Sequence, residues 1–391
     1  MNNTKNASAR LYQKKSKART YILRGLLVFG TLLVLLIATV FAAVAVIAHG
    51  PSETLRNTLV LSAKQASATK WVPGIFLSDE VIAEILDNSS KVNKEVISFN
   101  DYKNNYTDDK NTAGVSGGSQ SGDKNDEWAD AKNGMKLITH VDQNFKAYIL
   151  LVKDPSRLYV GTSSSFADTS VHGKDIFNLA AKEGCIAAIN GGEFSDPGGV
   201  GTGNTPIGVT YSKGNLVWNH STSKSFIGID KDNKLIVRDQ ITVAEAEALG
   251  IRDGVCFQTT ATENVLITND GNEITVHRLD GDNARSQRTA IGQRADGTII
   301  LLVTDGRTTS NPGATYNDVT ELLVKYGAVT AGMLDGGSSS MMYYENYYDV
   351  YSDVYDKNKL DDNQKKGLVN SYKAFTPPRK IPTFFCVSPE R

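Results

Sequence analysis

The stretch AVTAGMLDGGSSS, residues 328–340, carries the reading of this chain. An apolar run with strand character ends on Asp335, and Gly336, Gly337, Ser338, Ser339 and Ser340 follow at once. A strand holds its last side chain rigidly, and glycine lets a ligand approach the backbone closely. The same construction occurs twice more. CIAAI leads into Asn190-Gly191-Gly192-Glu193, and IILLVT leads into Asp305-Gly306-Arg307. One such segment reads as an ordinary Asp-Gly or Asn-Gly turn. Three in one region point to strand ends that meet around a site.

The surrounding sequence is a series of short strands. They are KAYILLVK (146–153), GCIAAI (184–189), PIGVTYS (206–212), SFIGID (225–230), KLIVRD (234–239), TAIGQ (289–293), TIILLVT (298–304) and AVTAGML (328–334). Asn269-Asp270-Gly271 and Asp296-Gly297 mark turns. Helical patterns are fewer: DIFNLAAKEG (175–184), TVAEAEALG (242–250) and TYNDVTELLVKYG (315–327), each closed by glycine. The expected class is α+β, a mixed β-sheet domain with a few helices. No internal repeat of 20–50 residues is visible.

The residue types at the three strand ends define a chemistry. Glu193, Asp305 and Asp335 supply carboxylates, which stabilise a developing oxocarbenium ion or handle protons and water. Arg288 and Arg307 supply guanidinium groups, which grip phosphate bidentately or serve as ion-pair partners. A site with both suits a substrate that is sugar on one side and phosphate on the other. A Walker loop, HExxH and CxxC are missing from the sequence, and no strand pattern leads into a GxSxG elbow. Gly199-Val200-Gly201-Thr202-Gly203 has the wrong spacing for dinucleotide binding and reads as a loop. His140, His172, His220 and His277 are scattered, so no metal site and no cofactor is expected; a divalent cation at the carboxylates has no ligand-spacing motif behind it. Cys185, Cys256 and Cys386 are too few for a disulfide framework, and Cys185 reads as a small buried hydrophobe.

The N-terminal part differs in kind. Of the 391 residues, 42 are Lys or Arg and 43 Asp or Glu, a balance that speaks against a nucleic-acid binder. Seven of the basic residues precede Gly25, where no acidic residue occurs. Residues 25–48 then carry no charge, and as a helix they measure about 36 Å against a bilayer core of about 30 Å. The expectation is a basic cytoplasmic tail (1–24) and a transmembrane helix (25–48), with everything beyond it extracytoplasmic by the positive-inside rule. A cleaved signal peptide is the alternative, although its apolar core would be shorter. Residues 49–99 read as a juxtamembrane helical stalk, in which Ser78 caps DEVIAEILDN. Residues 100–133 are rich in Asn, Asp, Gly and Ser and read as a flexible linker, leaving 134–391 as one domain.

Five segments, INGGEF (189–194), RTAIG (288–292), TDGR (304–307), LDGGSSS (334–340) and RKIPTFFCV (379–387), resemble the phosphodiester glycosidase family in their order. That family includes the enzyme that uncovers mannose phosphate by removing N-acetylglucosamine, and bacterial proteins described as exopolysaccharide-related. The resemblance implies hydrolysis of a sugar-1-phosphodiester at the anomeric C–O bond. It implies that Asn190, Asp305 and Asp335, with Glu193 as candidate base, are catalytic. By the same resemblance Arg288, Arg307, Gly191, Gly192, Gly336, Gly337, Ser338 and Ser339 hold the substrate. Two positions depart from the family pattern: Glu193 stands where an aromatic pair is common, and Met341 where a Thr commonly follows the serines. The expected partner is a carbohydrate or glycopolymer of a bacterial envelope, and the expected location the cell membrane. Two other readings remain open: a non-catalytic glycan-binding or assembly factor on the same fold, and a structural surface protein in which the stalk is the working part.

Overall fold

The strand Lys146–Val152 shows how this sheet is built: its last six residues are all buried, because both of its faces are covered. Tyr148, Leu150 and Val152 point to one side, with Ile299, Leu301 and Val303 of the neighbouring strand. Ala147, Ile149 and Leu151 point to the other, with Ile300 and Leu302. This alternation is the period of two inherent in a strand. The computed structural model describes residues 2–65, 69–106, 127–168, 170–196, 203–220, 224–257, 264–281, 284–308, 310–352, 355–372 and 377–390.

Eight strands form the central antiparallel sheet. In spatial order they are Val92–Ser98, Glu273–Leu279, Val265–Asn269, Ala328–Met333, Thr289–Arg294, Ile299–Thr304, Lys146–Val152 and Met135–Val141. One face packs on the helix Tyr316–Lys325 through Val319, Leu322 and Leu323. The opposite face packs on two smaller sheets. The first runs Leu235–Ile241, Lys224–Asp230, Ile251–Phe257, Val209–Ser212 and Asn215–Asn219, and the second Met342–Tyr344, Ala187–Asn190, Thr383–Val387 and Leu158–Thr162. Two further helices close the outer faces of these sheets: Val243–Ala248 through Ala246, and Ile176–Glu183 through Ile176 and Leu179. The protein is a mixed α+β structure of several antiparallel sheets, as the alternating patterns indicate.

Local signals act where the residues place them. Thr315 and Thr242 each cap a helix in a reciprocal capping box, with Asp318 and Glu245. Asp175 caps the third by accepting from the Asn178 N–H, and Gly184 ends that helix at φ 65°.

The N-terminal part departs from the expected stalk and linker. A single helix runs Asn2–His49, and its Tyr21–His49 portion is long and apolar enough to cross a membrane. The helices Glu53–Gln65, Pro73–Phe76 and Asp79–Ser89 gather at its end, and Ser78 caps the last of them, as expected. Residues 92–98, however, are not helical. They form the edge strand of the central sheet and pair in full register with Glu273–Leu279. VNKEVIS is a poor strand signal on its own, since its polar residues face water at the sheet edge and its partner lies far along the chain. The helix Phe99–Tyr106 then docks on the sheet through Tyr102, whose hydroxyl donates to the Ala328 carbonyl at 2.7 Å. Trp128 packs against the same core from the other end of the Asn/Gly/Ser-rich stretch. The expected linker therefore leaves from the sheet and returns to it; its central part, 107–126, lies outside the described residues.

Candidate active site

Sheet topology assembles the site. The strand Thr289–Arg294 lies between Ile299–Thr304 and Ala328–Met333 and is antiparallel to both, with Ala290 opposite Leu302 and Met333. Its start and their ends share one edge, which brings Arg288, Asp305 and Asp335 to the same rim. The third motif arrives from the four-stranded sheet beneath, at the end of Ala187–Asn190.

Asn190 ties these pieces together. It is fully buried. Its amide nitrogen donates to the Asp335 carbonyl at 2.5 Å, and its side-chain oxygen accepts from the Thr289 hydroxyl at 2.8 Å and the Met341 N–H at 3.1 Å. With its polar atoms engaged by protein, Asn190 is a positioning residue under the site. The bond to Met341 uses its backbone, so the departure from the family Thr leaves it untouched; the Met341 side chain is buried against Phe194, Leu368 and Phe384.

Gly191 and Gly192 serve packing between strands. A Cβ on Gly191 would stand 2.8 Å from the Thr383 carbonyl oxygen, and one on Gly192 2.2 Å from that of Cys256. The Asp335 loop is pinned by backbone bonds from Asp335 N–H to the Gly191 carbonyl (3.2 Å) and from Gly337 N–H to the Gln287 carbonyl (2.9 Å). Gly337 sits at φ 59°, a left-handed conformation that favours glycine.

The carboxylates have distinct surroundings. Burial, and secondarily the negative charge of Glu193, push Asp335 up to about 7; the Ser339 hydroxyl and the Gly336 N–H act in the opposite direction. The charge of Glu193 thus adds to burial in favouring the protonated form of Asp335. Burial also raises Asp305, to about 6, against hydrogen bonds from Tyr148 (3.1 Å) and the Ser371 N–H (2.9 Å) and the charge of Lys146. Both Asp305 oxygens accept from protein, so it braces the segment around Ser371.

The arginines divide differently from expectation. Arg288 is buried; its guanidinium donates to the carbonyls of Ala284 (2.5 Å) and Ala314 (3.2 Å) and lies over the Tyr316 ring at 4.2 Å. That arrangement supports the chain rather than presenting a phosphate clamp. Arg307 is exposed at the rim and holds φ 60°, uncommon outside glycine. A methyl on Gly337 would lie 3.6–3.8 Å from the Arg307 guanidinium, which makes no hydrogen bond or ion pair among the described residues. The surrounding protein, and then the charge of Arg288, hold its pKa below the ordinary value.

Arg379 is the group that sequence reasoning missed. It donates to the hydroxyls of Ser338 (3.0 Å) and Ser339 (3.1 Å), pairs with Asp196 and stacks on Phe194 at 5.0 Å. The Tyr372 hydroxyl, which donates to the Ser338 carbonyl at 2.7 Å, accepts from the Arg379 N–H at 3.0 Å. The only signal was the position of Arg379 at the head of RKIPTFFCV, four residues before the strand Thr383–Val387. Arg379 therefore holds the hydroxyls of both Ser338 and Ser339. Among the described residues no cluster of His, Cys, Asp and Glu has the form of a metal site.

Residues 183–388, just over half of the chain, match the family described as phosphodiester glycosidase. The chain belongs to that family. The match begins before the Asn190 motif and ends beyond RKIPTFFCV, so it takes in Asn190, Glu193, Arg288, Asp305, Arg307, Asp335 and Arg379; Tyr148 and Lys146 lie before it. A curated relative, the SPbeta prophage-derived uncharacterized protein YomE of Bacillus subtilis, is 24% identical over 220 residues; these are 56% of this chain and 31% of the relative. The match thus spans about a third of that relative. Solved structures that the chain matches include the zebrafish N-acetylglucosamine-1-phosphodiester alpha-N-acetylglucosaminidase catalytic domain, auto-inhibited by its pro-peptide. It is 17% identical, with TM-score 0.47, over 75% of this chain and 88% of that one. A hypothetical protein from Synechocystis is 13% identical, with TM-score 0.43, over 66% of this chain and 62% of that one.

Proposed function

We propose that this phosphodiester glycosidase-family chain is a membrane-anchored hydrolase that cleaves a sugar-1-phosphodiester, in a glycopolymer or exopolysaccharide of the envelope, at the C1–O bond. The observation that carries the reading is the Arg307 guanidinium, without a protein partner among the described residues, held over Gly337 at the end of the Asp335 strand. An anion-binding group beside the carboxyl of Asp335, which feels the charge of Glu193, suits a substrate with phosphate on one side and sugar on the other.

In this reading Arg307 takes the phosphate in place of the expected pair Arg288 and Arg307. Arg379 fixes the serine hydroxyls of the loop, and Asn190 fixes the loop itself. As the C1–O bond breaks, the phosphate departs with the bonding electrons, and Asp335, holding its proton, hydrogen-bonds the leaving oxygen. Glu193 faces the positive charge growing on the sugar and accepts the proton of the water whose oxygen bonds to C1. Phosphate is a good leaving group, so a modest acid suffices.

The Tyr21–His49 helix supports the anchor, with the basic N-terminus in the cytoplasm and the catalytic domain outside. The test is turnover by the full-length chain in detergent on a panel of sugar-1-phosphodiesters, with Asp335→Asn as control. Release of free sugar that the variant loses supports the hydrolase. Saturable glycan binding with no release by either protein overturns it in favour of the glycan-binding reading.

A further inference from the structure

The apolar helix is not alone at its C-terminal end. The Phe76 ring packs on the Phe41 ring, with centroids 4.7 Å apart. Phe76 belongs to Trp71-Val72-Pro73-Gly74-Ile75-Phe76-Leu77, seven residues without a charge. Phe41 lies eight residues before His49, roughly 12 Å back along the helix at about 1.5 Å per residue.

The exposed side chains fix the depth. Val46, nearer the helix end than Phe41, is 71% exposed. A helix that leaves this valine bare needs apolar surroundings at least to its level. The Trp71–Leu77 segment touches the helix at Phe41, inside that level. Its own surface matches: Trp71 is 66% and Ile75 48% exposed. Tryptophan beside a chain with short apolar neighbours is the composition of a membrane–water interface, and Lys70 at its entry is exposed and long enough to return its charge to the headgroups.

We infer that Trp71–Leu77 is a second membrane element, inserted into one leaflet beside the spanning helix, with lipid acyl chains as its partner. The inference rests on the proposal that Tyr21–His49 spans a bilayer. On the side away from the lipid, Val60, Leu61, Ile82 and Ile85 of the same helical cluster pack against Ala284 of the catalytic domain. The Ala284 carbonyl accepts from Arg288, so one helical layer joins the inserted segment to the segment that opens the site strand Thr289–Arg294.

The chain holds three tryptophans, Trp71, Trp128 and Trp218. The full-length Trp128→Phe/Trp218→Phe protein, reconstituted in phosphatidylcholine–phosphatidylglycerol vesicles, reports Trp71 alone. Lipids brominated high on the acyl chain should quench its emission roughly twofold, as for an interfacial tryptophan. In the otherwise native chain, Trp71→Phe should remove the lipid-quenchable part of the emission, which keeps the test valid should the double variant fold poorly. Unquenched Trp71 in a chain that resists alkaline extraction overturns the inference while leaving the span intact. Extraction of the chain overturns the span, and the inference with it.

Discussion

The side-chain amide of Asn190 donates to the backbone carbonyl of Asp335 at 2.5 Å, across the boundary between the four-stranded and eight-stranded sheets. Asp335 is thereby placed by a residue of a different sheet. Replacing Asn190 with Ala leaves the Met341 N–H and the Asp335 carbonyl short of partners in a buried position, while the Thr289 hydroxyl keeps the Ser340 hydroxyl. The expected cost is about 2–4 kcal/mol in thermal or denaturant unfolding. Asn190→Asp should not rescue turnover, because it sets a second acceptor against the Asp335 carbonyl. Wild-type turnover by the Asp variant would remove Asn190 from its positioning role.

The pair Glu193–Asp335 sets a pH dependence. Asp335 is raised to about 7, so its proton is present below that pH and lost above it. Turnover should therefore fall as pH rises through 7. Glu193→Gln removes a charge that raises Asp335, so any residual activity should show its alkaline limb at lower pH. A limb that stays in place or moves up would contradict the coupling.

The same shift affects stability. A carboxyl whose pKa is higher folded than unfolded carries its full stabilisation below the unfolded value near 3.8 and loses it as pH rises through about 7. Asp335→Asn should therefore melt a few degrees higher than wild type at pH 8, at roughly 2–4 °C per kcal/mol for a domain of this size, with the gap closing toward pH 4. Equal melting temperatures across that window would show that Asp335 ionises without strain.

Arg307 and Arg288 should separate in their effects. Arg307→Gly relieves a left-handed non-glycine residue and removes no hydrogen bond or ion pair among the described residues. It should leave stability unchanged or raise it by up to about 1 kcal/mol while KM for a sugar phosphodiester rises at least tenfold. Arg288→Gln strips the buried Ala284 carbonyl of its donor, while the Ala314 carbonyl keeps the Ser286 N–H, and should destabilise by about 1–3 kcal/mol. Thermal melts beside steady-state kinetics on both variants decide the matter.

A chain begun at residue 134 lacks the edge strand Val92–Ser98 and the Tyr102–Ala328 hydrogen bond. It should unfold at lower denaturant than a chain begun at Lys91, which keeps both. Identical midpoints would make the strand an ornament of the sheet.

The sheet interior was legible because its strands are apolar and end on polar residues that glycine follows. Lys146–Val152 and Ile299–Thr304 are buried on both faces, so nothing in their sequence argues against a strand. Val92–Ser98 was hidden for the opposite reason: at an edge, water satisfies its side chains, and its partner Glu273–Leu279 is supplied only by the fold. The strand-end motifs carry the candidate site, yet composition could not apportion its groups. Arg288 and Arg307 look alike in sequence, and only the carbonyls of Ala284 and Ala314 assign the first to support. Arg379 needed the fold to bring it onto Ser338 and Ser339, which lie about 40 residues away along the chain.

Two residues, Ser90 and Lys91, separate the helix Asp79–Ser89 from the strand Val92–Ser98. A chain mounted this way is bracketed to its support, without a leash. Held by the Tyr21–His49 helix, the catalytic domain would have a fixed standoff from the lipid and almost no working radius of its own. Under the proposed function, encounters would then depend on how far a tethered polymer can bend back toward the surface. Lengthening the excursion between Tyr106 and Glu127 would change none of this, because both of its ends are fastened to the same sheet.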